Sequence, residues 1–176
     1  QILVMQKIIL KNLNYGYKNA KKIEIEWPNL PSNLFIDIYK VAQDIGIDTV
    51  AIVGGVVRDI LLKSSPKNHL IKHKDLDLVV EGSATELAIA LKQKLGTDRV
   101  IEICIHKDFN TAEMKIDGFP VDLASARKEN YPIPGNNPEV RPCSLQEDLL
   151  RRDFTINAMA IDLSNMRLLD PYGGKV

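Results

Sequence analysis

The stretch TVAIVGGVVRDILL, from Thr49 to Leu62, carries the pattern from which the fold is predicted. It opens with an apolar, largely β-branched run that predicts a buried strand. Gly54 and Gly55 end this strand, because glycine permits sharp turns that other residues resist. The apolar residues that follow predict a short helix. A strand, a glycine pair and a helix therefore follow one another directly.

Elements on either side extend this pattern. Upstream, apolar residues recur at helical spacing from Leu34 to Ile45, and Gly46 ends that helix. Downstream, DLDLVVE from Asp75 to Glu81 predicts a strand. Ser83 then predicts the N-cap of a further helix, which Gly96 closes. Helices and strands therefore alternate along the first half of the chain.

The second half predicts an antiparallel meander. Short β-like stretches begin at Arg99, Thr111 and Phe119, and Asp117-Gly118 predicts a tight turn between the last two. Together with the alternating elements before it, this meander predicts an α/β (α+β) domain. We expect its sheet to be mixed, largely antiparallel and flanked by helices.

Four segments outside these elements have their own patterns. Alternating residues around 23–27 suggest a strand, and the run at 63–74 is a basic loop that contains Lys and His but no acid. Residues 127–141 are rich in Pro, Asn and Gly and are predicted to be a loop. Ser144 and Glu147 predict a capping box for the helix LQEDLLRR.

Composition narrows the class of protein. With 176 residues, 45% hydrophobic and 26% charged, the chain suits a soluble globular domain and excludes a disordered tail or a disulfide-stapled miniprotein. Because 23 basic residues balance 23 acidic ones, contact with nucleic acid over the whole surface is not expected, and any such contact must be local or lie on parts outside this chain. Cys104 and Cys143 lack disulfide or zinc spacing, and the apolar opening is interrupted at Lys7. We therefore expect a cytoplasmic protein with no membrane partner.

An acidic pair carries the first indication of chemistry. Side chains alternate along a strand, so Asp75 and Asp77 project from the same face while the leucines beside them enter the core. Two such carboxylates repel each other unless a cation neutralises them, which favours a divalent metal site. Asp122 has similar apolar neighbours on a strand expected to pair nearby, as a third carboxylate. Hard oxygen ligands of this kind suit Mg²⁺.

An isolated acidic pair is more often a solvated strand edge than a metal site. Here Gly54-Gly55 lies about 20 residues upstream of the pair. The glycines stand between a strand and a helix, where backbone N–H groups and the helix dipole can hold phosphate. A glycine pair is weak evidence by itself, since it matches neither GxGxxG nor the Walker pattern. The combination favours a metal-dependent phosphate chemistry.

Four segments resemble one family. GGVVRDILL, DLDLVV, VDLASAR and especially LLRRDFTINAMAIDL at 149–163 are similar to the head domain of class II tRNA nucleotidyltransferases, the CCA-adding enzymes, and of the related bacterial poly(A) polymerases. The resemblance covers about residues 32–176 and implies a polymerase-β-like fold. Residues 31–176 are thus expected to form a catalytic head domain that stops before its neck, body and tail helices. Residues 1–30 are an extension with no counterpart, and nothing in the residues indicates an oligomeric state.

The resemblance implies roles for the acidic pair and the glycines. Asp75 and Asp77 would bind two Mg²⁺ ions, with Mn²⁺ as a substitute, that activate a primer hydroxyl and stabilise a triphosphate. Gly54 and Gly55 would cradle that triphosphate. Arg58 would bind phosphate or, equally well, pair with Asp59 to shape the turn.

The same resemblance implies contacts around RRDFTIN. Arg152, Asp153 and Asn157 would hold the ribose and phosphates of the nucleotide, which would favour ribonucleotides. Without the resemblance, the arginines would be cations at a helix C-terminus. Arg127 is a weaker candidate for phosphate or primer contact, because loop arginines are commonly solvated. The basic loop at 63–74 either steers RNA or is solvated surface.

The expected activity is addition of CMP and AMP, from CTP and ATP, to the 3′ end of tRNA. A poly(A) polymerase, a CC-adding or A-adding specialist, and a nucleotide- or RNA-binding module without catalysis are the alternatives. The string EDLLR, Glu147 to Arg151, matches the family's base-selecting pattern but stands in the wrong place. Glu147 and Asp148 are therefore interpreted as acids of the first helical turn. The base-selecting helix is expected beyond Val176.

Overall fold

A computed structural model describes residues 21–22, 32–61, 75–130, 139–152 and 157–174. The α-helices within these ranges are α1 (Ser32–Asp44), α2 (Gly55–Leu61), α3 (Ala84–Leu95) and α4 (Leu145–Leu150). The strands are β1 (Lys21–Lys22), β2 (Val50–Val53), β3 (Leu76–Val80), β4 (Val100–His106), β5 (Thr111–Ile116), β6 (Phe119–Ser125), β7 (Arg127–Asn130), β8 (Glu139–Pro142), β9 (Ala160–Asp162) and β10 (Arg167–Leu169). No helix of these ranges is long and apolar enough to cross a membrane.

Eight of the described strands form the main sheet, in the order β1-β10-β9-β2-β3-β6-β5-β4. Among the described strands every neighbouring pair in this sheet is antiparallel except β3 and β6, which are parallel. The predicted mixed, largely antiparallel sheet is confirmed. The one parallel pair aligns the two strands that carry the candidate acids.

The two faces of the sheet are covered differently. On one face, alternate residues such as Ile52 and Leu78 are fully buried in the main core with α1, α2 and α3. On the other face, Ala51 and Val79 pack in a smaller core with α4, through Leu149. Because α4 has only six residues, it covers only part of this second face. Within the described part of the chain, Asp75 stays exposed on the rest of this face, and Asp77 and Asp122 are half-buried there.

Helices α3 and α4 begin at the capping residues that the sequence predicts. The Ser83 side chain accepts a hydrogen bond from the Glu86 N–H, and Gly96 ends α3 with φ +81°. Ser144 and Glu147 form the predicted capping box at the start of α4. The helix is shorter than LQEDLLRR, because it ends before the two arginines. Arg151 is the C-cap residue of α4, and the side chains of Arg151 and Arg152 both return to Asp148 of that helix.

The predicted loop at 127–141 is wrong at both ends, since β7 and β8 pair as a separate antiparallel two-stranded sheet. Turn-forming composition dominates the middle of the segment, whereas long-range contacts fix its ends. The Arg127 N–H donates to Asp148 of α4, a bond that local pattern does not reveal. The strand suggested at 23–27 and the basic loop at 63–74 lie outside the described residues.

Candidate active site

The candidate acids lie together on the open face of the sheet. Asp77 of β3 and Asp122 of β6 are direct register partners in the parallel pair. Neighbouring strands lie about 4.8 Å apart, so the two side chains emerge side by side. Asp75 is exposed immediately before β3, on the same face as Asp77 because it stands two positions earlier. The structure thus brings the three predicted acids to one edge of the site.

These acids repel one another, and Asp77 and Asp122 are also half-buried. Burial raises the pKa of Asp77, the positive charge of Arg152 opposes this, and the negative charge of Asp75 adds to it. Burial also raises the pKa of Asp122, and the charges of Asp77, Asp75 and Glu113 raise it further. Each of these carboxylates is therefore stabilised by an added cation.

The donor set fits Mg²⁺ through two carboxylates. Within the described residues, no group of three or more His, Cys, Asp and Glu side chains is arranged to hold a metal ion. Magnesium does not require such a cage, because it binds through one or two carboxylates and completes its shell with water and substrate phosphates. Asp75 and Asp77 can supply those two ligands. Asp122 adds negative charge beside them.

Gly54 brings the backbone against Asp77. Its φ is +74°, and a Cβ built on it would lie 2.7 Å from Oδ2 of Asp77. Only glycine combines this left-handed conformation with so close an approach. Gly55, the first residue of α2, follows it. Gly54 therefore borders Asp77 of the acidic pair, whereas Gly55 faces the Arg58 guanidinium.

Arg58 and Asp59 form an ion pair, with Nε 3.1 Å from Oδ1. This agrees with the alternative in which the pair shapes the turn after Gly55. Arg127 likewise has protein partners, since its Nη2 lies 2.9 Å from Glu129 Oε1. Its guanidinium also donates to the Phe109 carbonyl. Roles for Arg58 and Arg127 in binding substrate stay predictions.

Arg152 lies between α4 and the acids. Its Nη2 donates to Oδ2 of Asp148 at 3.2 Å, and its charge acts on Asp77. Its Nε is buried and has no hydrogen-bond partner among the residues that the structure describes. Asp153 lies outside the described residues, and Asn157 is half-buried. Of the three predicted ribose and phosphate contacts, the structure thus places Arg152 at the acidic pair.

Sequence reasoning missed the role of Asp148. It is more than an acid of the first helical turn, because it is fully buried and accepts hydrogen bonds from Arg127, Arg151 and Arg152. The spacing of three and four residues from Asp148 to the two arginines is the signal that was available. Its complete burial followed only from the packing of α4 on the sheet.

Glu113 was also missed. On the open face, Glu113 of β5 is the register partner of both Asp122 and Cys104, so the acids form one row across the strands. An open pocket of about 580 Å³ lies against this row. Asp75, Asp122, Glu113, Cys104 and Lys115 are among its lining residues. The alternation in TAEMKI, with Glu113 between two apolar residues, is the signal that places it here.

Comparison with known sequences identifies similar proteins. Residues 50–176 match the family model described as the poly A polymerase head domain. An A-adding tRNA nucleotidyltransferase of Aquifex aeolicus is 47% identical over 127 residues, which are 70% of this chain and 14% of that protein. A CC-adding tRNA nucleotidyltransferase of Deinococcus radiodurans is 42% identical over 134 residues, 73% of this chain and 33% of that protein.

Solved structures show the same similarity. A CCA-adding enzyme in its apo form II superposes with a TM-score of 0.68 and 37% identity, covering 84% of this chain and 33% of the other. A tRNA nucleotidyltransferase complexed with a primer tRNA and an incoming ATP analogue gives a TM-score of 0.59 and 39% identity. That match covers 78% of this chain and 35% of the other. The chain therefore spans about a third or less of the length of these relatives.

Proposed function

The chain belongs to the poly A polymerase head-domain family, and from this premise we propose that residues 31–176 are the catalytic head of a tRNA nucleotidyltransferase. The reaction is transfer of CMP or AMP from CTP or ATP to the 3′-hydroxyl of tRNA, with release of pyrophosphate. One observation carries the proposal: Asp75 and Asp77 share an open face with Asp122, beside a glycine turn and a partly unsatisfied arginine.

In the complete enzyme, Asp75 and Asp77 would hold two Mg²⁺ ions, or Mn²⁺ in their place. When bound, these ions supply charge neutralisation and activation of the attacking hydroxyl. The protein itself holds the reacting groups in position. Since phosphoryl transfer depends mainly on alignment and electrostatics, a fixed sheet edge is a suitable platform for the acids. Asp122 keeps the local potential negative, which favours cation binding.

The surrounding groups bind the nucleotide. Gly54 and Gly55 allow the triphosphate to approach the backbone, and Arg58 supports that turn through Asp59. Arg152 donates from its free Nε to a phosphate or ribose oxygen. Asp153 and Asn157 complete the ribose contacts, and Arg127 is the outermost candidate for the primer. Two free cysteines in the described chain suit the reducing cytoplasm.

A second candidate is a specialist that adds only A or only CC. It is favoured by the relatives at 47% and 42% identity, which are an A-adding and a CC-adding enzyme. A relative named as a multifunctional CCA protein, from Haemophilus ducreyi, is 38% identical. The head domain is similar to all three, so the added nucleotides must be measured.

The test uses the complete protein, Mg²⁺, labelled CTP and ATP separately and together, and three tRNA transcripts. The transcripts lack the terminal CCA, lack only the final A, or are complete. Ordered addition that stops after the final A establishes CCA synthesis, and addition of only C or only A establishes a specialist. Unlimited A addition indicates a poly(A) polymerase. Nucleotide binding without incorporation on any primer would leave only a binding module.

Variants connect this activity to the acids. Asp75→Ala and Asp77→Ala each abolish incorporation while the far-ultraviolet circular dichroism spectrum stays unchanged. Asp98→Ala, which removes an exposed carboxylate from the turn after α3, is the control and retains activity. Retained activity in either of the first two variants would contradict the assignment.

A further inference from the structure

Asp148 is a buried charge with an unusually complete set of partners. Its exposed fraction is 0%. Its Oδ1 accepts from the Arg127 N–H at 3.1 Å and from Arg151 Nη2 at 3.0 Å, and its Oδ2 accepts from Arg152 Nη2 at 3.2 Å. Burying a carboxylate without hydrogen-bond partners is costly, and these donors offset that cost. The carboxylate consequently restricts where the arginines can lie.

The two arginines use this anchor differently. Arg151 also donates to the Arg127 carbonyl and to Glu129, so its guanidinium is tied to β7. Within the described chain, Arg152 donates a hydrogen bond to Asp148 through Nη2, and its Nε stays buried and unbonded. A buried N–H without a partner costs free energy, which a ligand oxygen would recover. A phosphate or ribose oxygen of a nucleotide has the acceptor chemistry that this donor lacks.

We propose that Asp148 is the positioning residue of the nucleotide site, which holds Arg152 through Nη2 so that its Nε remains available for an oxygen of the incoming nucleotide. This inference rests on the proposed function and deepens it. Asp148 touches no substrate itself. It acts by fixing the planar guanidinium, whose several donors otherwise have many arrangements.

A purely structural role for Asp148 predicts a different result. Asp148 also binds the backbone of Arg127, so its loss could loosen β7 against α4. Such loosening would affect nucleotide and tRNA binding alike and would persist whatever residue stands at 152. A positioning role is specific to the nucleotide and disappears when Arg152 is replaced. The two roles are therefore separable by steady-state kinetics and a double-mutant cycle.

The experiment measures kcat and KM for nucleotide and for tRNA in the complete protein. Asp148→Asn is expected to reduce kcat/KM for the nucleotide by about tenfold or more, since misplacing a binding group by about 1 Å costs up to about 100-fold. KM for tRNA stays within about twofold of the wild-type value. Glu147→Gln is the matched control, because it removes the adjacent carboxylate, which is exposed and does not contact Arg152. This control retains wild-type kinetics.

The cycle repeats the Asp148→Asn change in an Arg152→Lys background. There it should lower kcat/KM by less than about threefold, because lysine has no Nε–H to position. An equal loss in both backgrounds would overturn the positioning role, as would Asp148→Asn kinetics that match those of Glu147→Gln.

Thermal unfolding shows whether each variant is folded. If Asp148→Asn does not fold, Asp148→Glu carries the test, because it keeps the charge and moves the carboxylate by one methylene. A folded Asp148→Glu with wild-type kinetics would also overturn the proposal. Failure of the proposed function has a different signature, since the wild-type protein itself would then incorporate nothing on any primer.

Discussion

Oδ2 of Asp77 lies 2.7 Å from the position that a Cβ atom would occupy on Gly54. The turn that ends β2 is thereby packed directly against a candidate metal ligand. Gly54 also has φ +74°, a conformation that costs other residues about 1 kcal/mol or more. Two separate physical requirements, conformation and space, thus select glycine at this position.

Gly54→Ala is expected to lower the rate of nucleotide incorporation by about tenfold or more. A loss of this size is expected when one ligand group is misplaced. The new methyl group would push the Asp77 carboxylate away from its position, and the backbone strain would cost about 1–2 kcal/mol of unfolding free energy. Gly46→Ala is the matched control, since Gly46 has φ +80° but no atom within 4 Å of its ideal Cβ position. It should lose comparable stability and keep its activity. Equal activities of the two variants would show that contact with Asp77 is unimportant.

Asp122→Asn is expected to raise the thermal unfolding temperature in buffer without divalent cations. Burial and three neighbouring acids raise the pKa of Asp122, so its charged form is disfavoured in the folded protein relative to the unfolded chain. A neutral amide removes that penalty at neutral pH. Differential scanning calorimetry measures the shift, and Mg²⁺ should stabilise the wild type more than the variant. A lower unfolding temperature for the variant would mean that Asp122 is stabilising despite these charges.

The Arg99 ion pair predicts an acid-dependent part of the stability. Arg99 Nη2 lies 2.7 Å from Asp117 Oδ2 and 2.8 Å from Asp37 Oδ2, which joins the β5–β6 turn to α1. The hydrogen bond from Arg99 lowers the pKa of Asp117 below its ordinary value of 3.8. The contribution of Asp117 is therefore complete above pH 3.8 and is lost as pH falls through the lowered pKa.

Asp117→Asn should reduce the unfolding free energy at neutral pH by about 0.5–1 kcal/mol, a value limited by the partial exposure of the pair. Asparagine tolerates the positive φ of this turn position, so the charge is the main change. Urea unfolding at a series of pH values should show the difference from wild type shrinking toward zero in acid. Asp108→Asn, at an exposed acid with no ion pair in the described ranges, is the control and should change the unfolding free energy at neutral pH by less than about 0.5 kcal/mol. A constant difference at every pH would exclude the ion pair as its source.

The two thiols should react at different rates. Cys104 is exposed, whereas Cys143 is partly buried and donates to the Ser144 carbonyl. Burial and the charges of Asp148 and Glu147 raise the pKa of Cys143, so little of it is thiolate at neutral pH. Labelling with a thiol reagent should show a fast and a slow phase, and Cys104→Ser should remove the fast one. The slow phase should accelerate as pH rises, and a fast Cys143 would contradict this account.

Local patterns predicted most of the elements because their determinants lie within a few residues. The capping box of Ser144 and Glu147 is satisfied within one helical turn, and the Asp117-Gly118 turn is set by its own backbone conformations. Strands β7 and β8 were not predicted from local pattern, because their pairing joins residues on either side of a turn-rich segment. Alternation placed Asp75 and Asp77 on one face, as strand geometry requires.

By itself the sequence determined which residues bear charge, which faces are apolar and which family the motifs resemble, since these depend on residue type and spacing. Only the tertiary structure decided that Asp122 stands in register with Asp77 and that Asp148 is buried beneath Arg152. Strand order and helix docking bring together residues that are far apart in the chain. The free energy of such contacts comes from burial and desolvation, which a linear pattern does not contain.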